Sequence, residues 1–244
     1  MYLDKTVAVV FPAYNEEQHI ETAVREFLST KVVDTVYVID NNSRDRTAEL
    51  ARRAGGTVIH EARQGYGYSL RRGLEEARED LIVLAEPDGT FVGRDTLKLL
   101  SYSAEFDLVL GTRTSKELIW EGANMGYFLR IGNVVVAKLL ELGFNGPLMT
   151  DCGCTFRLIH REAAHKILPY FTVGKSHFLP EMVILALHQK LSIIEIPLNY
   201  KPRVGESKIT GTWKGIFSTG IRMVLLLIIY RLKISFGWPA RNLK

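Results

Sequence analysis

The chain has few cysteines. Its 244 residues include two, Cys152 and Cys154, separated by a single glycine. They are too close for an ordinary long-loop disulfide, and their spacing differs from that of a zinc knuckle or a redox pair. The N-terminus also lacks the basic region, apolar core and small-residue cleavage site of a signal peptide. We therefore expect a protein that is not secreted and that works in a reducing compartment.

Two glycine-rich nucleotide-binding motifs are also missing. A dinucleotide-binding fold carries Gly-x-Gly-x-x-Gly after its first strand, and a P-loop enzyme carries Gly-x-x-x-x-Gly-Lys-Ser/Thr. Here the first strand-like run leads instead into residues 12–16, Pro-Ala-Tyr-Asn-Glu. The absence counts against a dehydrogenase and against a P-loop enzyme.

Short apolar runs alternate with helical patterns through the first half of the chain. The expected strands are residues 6–11, 35–39, 57–60, 81–85 and 108–110, and the expected helices are residues 16–28, 45–54 and 68–78. This alternation predicts an α/β fold with a mostly parallel sheet flanked by helices. With 47% apolar and 24% charged residues, one main globular domain is the default.

The fourth of these runs ends in two carboxylates. Glu86 and Asp88 follow residues 81–85, at a strand end where open α/β sheets bind ligands. Pro87 biases Glu86 toward an extended conformation and Gly89 permits a sharp turn, so both acids can face one cation. Such oxygen ligands suit a divalent ion that also grips a diphosphate. We expect a metal site here, with a plain polar turn as the alternative.

Two other turns open helices. Asn41, Asn42 and Ser43 form a cap-rich turn before the second helix. Gly65 and Gly67 open the third helix, where backbone amides could meet a phosphate. The glycine pair alone is weak evidence.

Together these segments resemble the family 2 glycosyltransferases of the GT-A fold, in the dolichyl- or polyprenyl-phosphate mannose synthase-like branch. The resemblance covers roughly residues 6–208. It rests on residues 12–16, 40–47 (Asp-Asn-Asn-Ser-Arg-Asp-Arg-Thr), 64–67 (Gln-Gly-Tyr-Gly), 86–88, 111–113 (Gly-Thr-Arg), 151–157 (Asp-Cys-Gly-Cys-Thr-Phe-Arg) and 203–208 (Arg-Val-Gly-Glu-Ser-Lys). The order of these motifs at strand ends makes the match specific.

For the donor, the resemblance implies a nucleotide-sugar site with Mg²⁺ or Mn²⁺. Asp88 and Glu86 take the place of the family's Asp-x-Asp metal-binding pair, and the longer Glu86 is a departure from it. A second departure is Thr155, which replaces a glycine in the segment 151–157. Thr90 stands where some relatives supply another polar ligand. The implied donor-binding residues are Pro12, Ala13, Tyr14, Glu16, Asp40, Gly65, Glu86 and Asp88.

For the acceptor, the resemblance implies that Asp151 is catalytic together with Asp88, and that Arg113, Arg130 and Arg203 present cations to a phosphate. Arg suits a phosphate because its planar fork donates two hydrogen bonds at once. If the acceptor is a hydroxyl, Asp151 must act as general base. If it is a lipid phosphate, the nucleophile is already anionic and Asp151 mainly orients acceptor and metal.

Two helical patterns suggest a lipid surface. Residues 125–144 form an apolar helix with a polar stripe that includes Arg130, which is typical of a core or membrane-facing helix. In the basic tail, Trp213 and Phe217 share one helical face while Lys214 and Arg222 share another. Its seven consecutive apolar residues, 223–229, fall short of the roughly 20 that cross a bilayer. We expect an interfacial helix, with a packing helix or dimer contact as the alternative.

We predict a GT-A catalytic domain over residues 1–208 and a basic amphipathic segment over residues 209–244. The predicted reaction is inverting transfer of a hexose, with mannose from GDP-mannose favoured, to a polyprenyl or dolichyl phosphate. We expect a peripheral or monotopic protein on the cytoplasmic face of an anionic membrane. A homodimer is compatible with this expectation, and no nucleic-acid partner is expected. The alternatives are a family 2 transferase acting on a lipid or saccharide hydroxyl, and a non-catalytic nucleotide-sugar binder.

Overall fold

A seven-stranded sheet forms the centre of the protein. The computed structural model describes residues 1–123, 126–204 and 213–237, with the backbone alone described at 127–128 and 213–217. The strands are β1 (Val7–Ala13), β2 (Thr35–Asp40), β3 (Thr57–His60), β4 (Leu81–Leu84), β5 (Leu108–Thr112), β6 (Arg157–His160) and β7 (Ile193–Pro197). The helices are α1 (Ile20–Ser29), α2 (Thr47–Arg53), α3 (Tyr66–Glu76), α4 (Thr96–Ser101), α5 (Tyr127–Phe144), α6 (Arg161–Ile167), α7 (Phe178–His188) and α8 (Trp213–Ser235).

The strand order is β3-β2-β1-β4-β6-β5-β7. All neighbouring pairs are parallel except those of β6, which runs antiparallel to β4 and to β5. The expected mostly parallel, helix-flanked α/β fold is therefore confirmed, and the five expected strands are present with ends shifted by at most two residues.

The first helix begins later than the sequence pattern predicted. It starts at Ile20 rather than at residue 16, because the chain after β1 first makes a turn. Asn15 adopts a left-handed backbone with φ 53° in that turn. The Glu16 amide donates to Thr47 Oγ1 at 2.8 Å, which ties the turn to the start of α2.

Apolar residues cover both faces of the sheet. In β1, Val7, Val9 and Phe11 face one core while Ala8 and Val10 face the other. This follows from the two-residue side-chain period of a strand buried on both sides. Fully burying a Val or Phe side chain stabilises the fold by about 1.5–3 kcal/mol, so both faces of β1 contribute to the stability of the sheet.

The C-terminal helix packs on the rest of the domain. It contacts α5 and α7, and the Tyr230 hydroxyl donates to Glu181 Oε1 of α7 at 2.5 Å. Glu181 also accepts from the amides of Thr172 and Val173, both at 3.0 Å. In the described residues, these contacts join α8 to α5 and α7 of the preceding α/β domain. None of the described helices combines the length and the hydropathy needed to cross a bilayer.

Candidate active site

The site lies at the carboxyl edge of the sheet, where the direction of β6 brings distant segments together. Because β6 is antiparallel, its amino end meets the carboxyl ends of β4 and β5. Arg157, the first residue of β6, is paired with Leu84 of β4 and with Leu110 of β5. The segment that precedes β6 therefore faces the residues that follow β4 and β5.

A cavity of about 550 Å³ opens at this edge. Most of the residues expected at the site line it: Pro12, Ala13, Tyr14, Glu16, Glu86, Asp88, Arg113 and Arg203. These residues come from the ends of β1, β4 and β5 and from the segment after β7. The fold thus brings together side chains that are far apart in sequence, such as Glu16 and Arg203, which are 187 residues apart.

Four expected site residues lie outside the cavity lining. Asp151 is fully buried behind it. Asp40 accepts a hydrogen bond from the Ser43 amide at 3.2 Å, and its neighbour Asn41 lines the cavity instead. Arg130 is on the first turn of α5, beside the lining residue Leu129. The fourth, Gly65, is described next, and residues 205–208 lie outside the described part of the chain.

The glycines at the start of α3 serve packing. The Gly65 amide donates to Asn41 Oδ1 at 2.7 Å and the Gly67 amide donates to the Gly174 carbonyl at 3.1 Å. A Cβ on Gly65 would lie 2.2 Å from that same carbonyl oxygen, so a larger residue cannot fit. Both amides are therefore occupied by hydrogen bonds within the fold.

The carboxylates at the end of β4 surround a guanidinium. Arg203 Nη1 lies 2.8 Å from Asp88 Oδ2 and 3.8 Å from Glu86 Oε2, while its Nη2 lies 3.5 Å from Glu16 Oε1. Asp88 is 1% exposed, and its Oδ1 accepts from the Thr90 amide at 3.0 Å and from Thr90 Oγ1 at 2.6 Å. Its Oδ2 is buried and accepts no well-aligned hydrogen bond. The partner of that oxygen is therefore ionic, the Arg203 guanidinium.

The donor set fits a divalent cation that shares its shell with phosphate. Asp88 and Glu86 are hard oxygen ligands, and the buried Asp88 Oδ2, which has no aligned hydrogen bond, is paired only with the Arg203 cation among the described residues. In the described part of the chain, no three Asp, Glu, His or Cys side chains are arranged to hold a metal ion by themselves. Mg²⁺ typically binds through one or two carboxylates together with substrate phosphates, which is the arrangement these residues allow.

Two hydroxyl groups hold the other oxygen of Glu86. Glu86 Oε1 accepts from Thr155 Oγ1 at 2.7 Å and from the Tyr66 hydroxyl at 3.1 Å. Burial, and then the neighbouring Asp88 carboxylate, raise the pKa of Glu86. Tyr66 was not predicted as a site residue. The one sequence signal for it was its place between Gly65 and Gly67 at a helix start.

Asp151 forms a two-point ion pair with Arg113. Asp151 Oδ2 lies 2.8 Å from Arg113 Nε, and Asp151 Oδ1 lies 3.0 Å from Arg113 Nη2. Oδ1 also accepts from the Gly153 amide at 3.1 Å. Although burial disfavours its charge, Arg113 has a pKa held above the usual range by Asp151. Both oxygens of Asp151 are therefore engaged, and the pair presents the Arg113 cation to the cavity.

Glu195 of β7 fixes the position of this pair. Its carboxylate accepts from the Thr150 amide at 2.8 Å, from Thr150 Oγ1 at 2.7 Å and from the Asp151 amide at 2.8 Å. Glu195 was not predicted as part of the site. Its sequence signal is an acid inside the otherwise apolar strand Ile193–Pro197.

The part of the cavity between helices α5, α7 and α8 is mainly apolar. Leu129, Val136, Leu179, Met223 and Val224 line it, with Asn133 and Thr219 as polar members. This end was not predicted, because it depends on the docking of three helices that are far apart in sequence. The cavity thus joins a charged end at the sheet to a hydrocarbon-like end between helices.

Comparison with known proteins gives the family. A family model described as glycosyl transferase family 2 matches residues 8–168. A dolichyl-phosphate hexose transferase of Haloferax volcanii is 30% identical over 210 residues, which cover 85% of this chain and 88% of that protein. The low-salt glycan biosynthesis hexosyltransferase Agl6 of the same organism is 30% identical over 98% of this chain, and the match spans 57% of its length.

A solved structure shares the fold. Glucosyl-3-phosphoglycerate synthase from Mycobacterium tuberculosis, in complex with Mn²⁺, UDP and glucosyl-3-phosphoglycerate, superposes with a TM-score of 0.71. The match covers 93% of this chain and 80% of that chain at 19% sequence identity. At this identity the likeness establishes the GT-A architecture alone.

Proposed function

The chain is a family 2 glycosyltransferase, and from that premise we propose that it transfers a hexosyl group from a nucleotide-sugar to a polyprenyl or dolichyl phosphate. The observation that carries the proposal is the two-ended cavity. An acceptor of this class has an anionic head and a long hydrocarbon chain. The head matches the cations at the sheet edge, and the chain matches the apolar walls.

The donor belongs at the charged end. Pro12, Ala13, Tyr14 and Asn41 line the cavity beside the carboxylates, where a nucleoside would lie against the ends of β1 and β2. Asp88, with Glu86 beside it, would hold a Mg²⁺ or Mn²⁺ ion. Such an ion, when bound, neutralises the charge that develops on the leaving nucleoside diphosphate.

The acceptor phosphate would meet Arg113. Asp151 uses both oxygens to hold that guanidinium, which leaves it poorly placed to remove a proton. A phosphate monoester is already anionic near neutral pH and needs no general base. In the proposed reaction the phosphate oxygen attacks the anomeric carbon, the bond to the donor diphosphate breaks, and configuration inverts. Arg203 and Arg130 stay candidates for further acceptor contacts.

The identity of the donor sugar and its nucleotide is a separate part of the proposal. We propose mannose from GDP-mannose, and UDP-glucose is the competing donor. The test is a product assay with dolichyl phosphate, Mg²⁺ and each labelled donor in turn, with the lipid product identified by mass spectrometry. Mannosyl transfer supports the proposal, glucosyl transfer corrects the sugar alone, and the absence of any lipid-phosphate product contradicts the function.

An exposed apolar face on α5 and α8 supports a location at a lipid surface. The two helices pack together, and each shows a stripe of exposed apolar side chains. These are Ile131, Val135, Leu139 and Leu142 on α5, and Ile221, Leu225, Ile228, Ile229 and Leu232 on α8. Single exposed apolar residues are ordinary, but a contiguous patch indicates a partner or a membrane. The absence of acids in α8, with Arg222, Arg231 and Lys233 exposed, favours an anionic bilayer.

We propose that this exposed face holds the protein peripherally on a membrane, at its cytoplasmic side. The test is sedimentation with anionic vesicles. Leu225→Glu with Ile229→Glu should release the protein, and binding of the native chain should weaken with salt. Leu97→Glu is the matched control, because Leu97 is similarly exposed but lies on α4. A concentration-dependent dimer with no vesicle binding would instead assign the face to a second copy.

A further inference from the structure

Three side chains from separate elements meet at one oxygen of Glu86. Tyr66 begins α3, Glu86 follows β4, and Thr155 precedes β6. Thr155 Oγ1 lies 2.7 Å from Glu86 Oε1, the Tyr66 hydroxyl lies 3.1 Å from the same atom, and the two hydroxyls are 2.5 Å apart. All three contacts lie at the floor of the cavity.

The backbone register explains why Glu86 and Thr155 meet. Leu84 is paired with Arg157 in the antiparallel β4–β6 ladder. Continuing this register by two residues sets Glu86 opposite Thr155. Cross-strand partners lie close enough for their side chains to interact directly.

The two carboxylate oxygens of Glu86 therefore have different neighbours. Oε1 accepts from Thr155 Oγ1, the shorter of its two hydroxyl contacts, and the Tyr66 hydroxyl is positioned to donate to Thr155 Oγ1 in turn. Oε2 faces the guanidinium of Arg203 at 3.8 Å. A glutamate has one more rotatable bond than an aspartate, so it loses more conformational freedom when it is fixed at a binding site. The hydroxyls fix it in advance. They also keep Glu86 from moving closer to Arg203 and forming a tighter pair that would compete with a cation.

We propose that Thr155 and Tyr66 are positioning residues that hold Glu86 with a single oxygen directed at the cation–diphosphate end of the cavity, and that they thereby set the metal-dependent affinity for the donor. The proposal rests on the proposed function, since it assumes that a metal-bound nucleoside diphosphate binds at Asp88.

The experiment measures binding rather than turnover. Isothermal titration with UDP and, separately, GDP is run with Mn²⁺ and with chelator, on the full chain. Thr155→Val removes the hydroxyl at nearly constant volume and should weaken Mn²⁺-dependent binding by about tenfold, the size expected for one lost hydrogen bond to a charged group. Tyr66→Phe should act in the same direction. Thr155→Ser keeps a hydroxyl and should bind as the native chain does.

Two comparisons separate positioning from a general loss of structure. Ser103→Ala is the control, because Ser103 is also buried but donates to the Leu100 carbonyl, away from the cavity. Thr155→Val is also made in a Glu86→Gln background. If Thr155 acts through Glu86, the second substitution should add little to the first. Binding measured in chelator should be the same in all variants.

The binding results distinguish failure of the proposed function from failure of the positioning role of Thr155 and Tyr66. If the native chain binds neither nucleotide with Mn²⁺, the proposed function fails and this inference fails with it. If the native chain binds and Thr155→Val binds equally well, the positioning role alone is overturned. That role is also overturned if the Thr155→Val and Glu86→Gln losses are fully additive, or if Thr155→Ser is as weak as Thr155→Val.

Discussion

Arg203 Nη1 lies 2.8 Å from the buried Oδ2 of Asp88. The guanidinium also approaches Glu16 and Glu86, so one cation lies among three carboxylates. A metal ion bound to a donor diphosphate would bring positive charge to the same place. Arg203 and the metal ion are therefore expected to compete for Asp88, and Arg203 becomes free to meet a phosphate when the ion binds.

Replacing Arg203 tests this competition. Arg203→Ala leaves the three carboxylates unbalanced and should lower the free energy of unfolding in chelator by roughly 1–3 kcal/mol. Millimolar Mg²⁺ alone should then raise the melting temperature more in the variant than in the native chain. Lys201→Ala is the control, because the Lys201 ammonium lies over the Trp120 ring. Equal Mg²⁺ responses in Arg203→Ala and the native chain would contradict the competition.

The pH dependence of stability should report on Glu86. Burial and the neighbouring Asp88 raise its pKa from 4.5 to about 7 in the folded protein. The native state then binds more protons than the unfolded state between these values, so Glu86 lowers the free energy of unfolding as pH rises from about 4.5 to 7. Glu86→Gln removes this pH-dependent decrease in the free energy of unfolding. In chelator, its melting temperature relative to the native chain should be higher at pH 8 than at pH 4.

The two carboxylates after β4 should differ in importance. Asp88 has the buried oxygen without an aligned hydrogen bond, whereas one oxygen of Glu86 is held by hydroxyls. Asp88→Asn should lower kcat by roughly 10²–10³-fold, as expected for a group that stabilises developing charge, and should weaken diphosphate binding. Glu86→Gln should lower kcat and weaken diphosphate binding by less than Asp88→Asn does. If Asp88→Asn retained the native rate in excess chelator, the metal assignment would be wrong.

Asp151 should behave as a positioning group for Arg113. Asp151→Asn breaks the two-point pair and should lower kcat by up to about 10²-fold, the cost of misplacing a catalytic group, without moving the pH optimum. Arg113→Lys should mainly raise KM for the lipid phosphate, and by more than Arg130→Ala does. A pH–rate profile that loses its acidic limb in Asp151→Asn would show instead that Asp151 is a general base.

The sequence predicts the parallel half of this fold well because each strand there is a short apolar run closed by a turn signal. It predicts the Glu86 and Asp88 pair for the same reason. The direction of β6 could not be predicted, since four residues beginning with a buried Arg157 carry no strand period, and their pairing is decided by tertiary packing. The contacts made through β6, between Thr155 and Glu86, follow from that direction.

Other parts of the site depend on charges that meet only in three dimensions. The sequence marks Asp151 and Arg113 as separate candidates but does not indicate that they neutralise each other. It likewise does not indicate that Arg203 lies against Asp88, with Glu86 and Glu16 nearby. The expected membrane contacts of Trp213, Lys214 and Phe217 lie outside the described side chains.

The central claim is transfer to a lipid phosphate, and a matched pair of acceptors tests it most directly. The native protein is given the labelled donor that it accepts, Mg²⁺, and either a polyprenyl phosphate or the polyprenol of the same chain length. We predict a polyprenyl-phosphate hexose from the first acceptor and no product from the second, with the transfer abolished in Asp88→Asn. Transfer to the polyprenol, or to a saccharide hydroxyl in preference to the phosphate, would contradict the account.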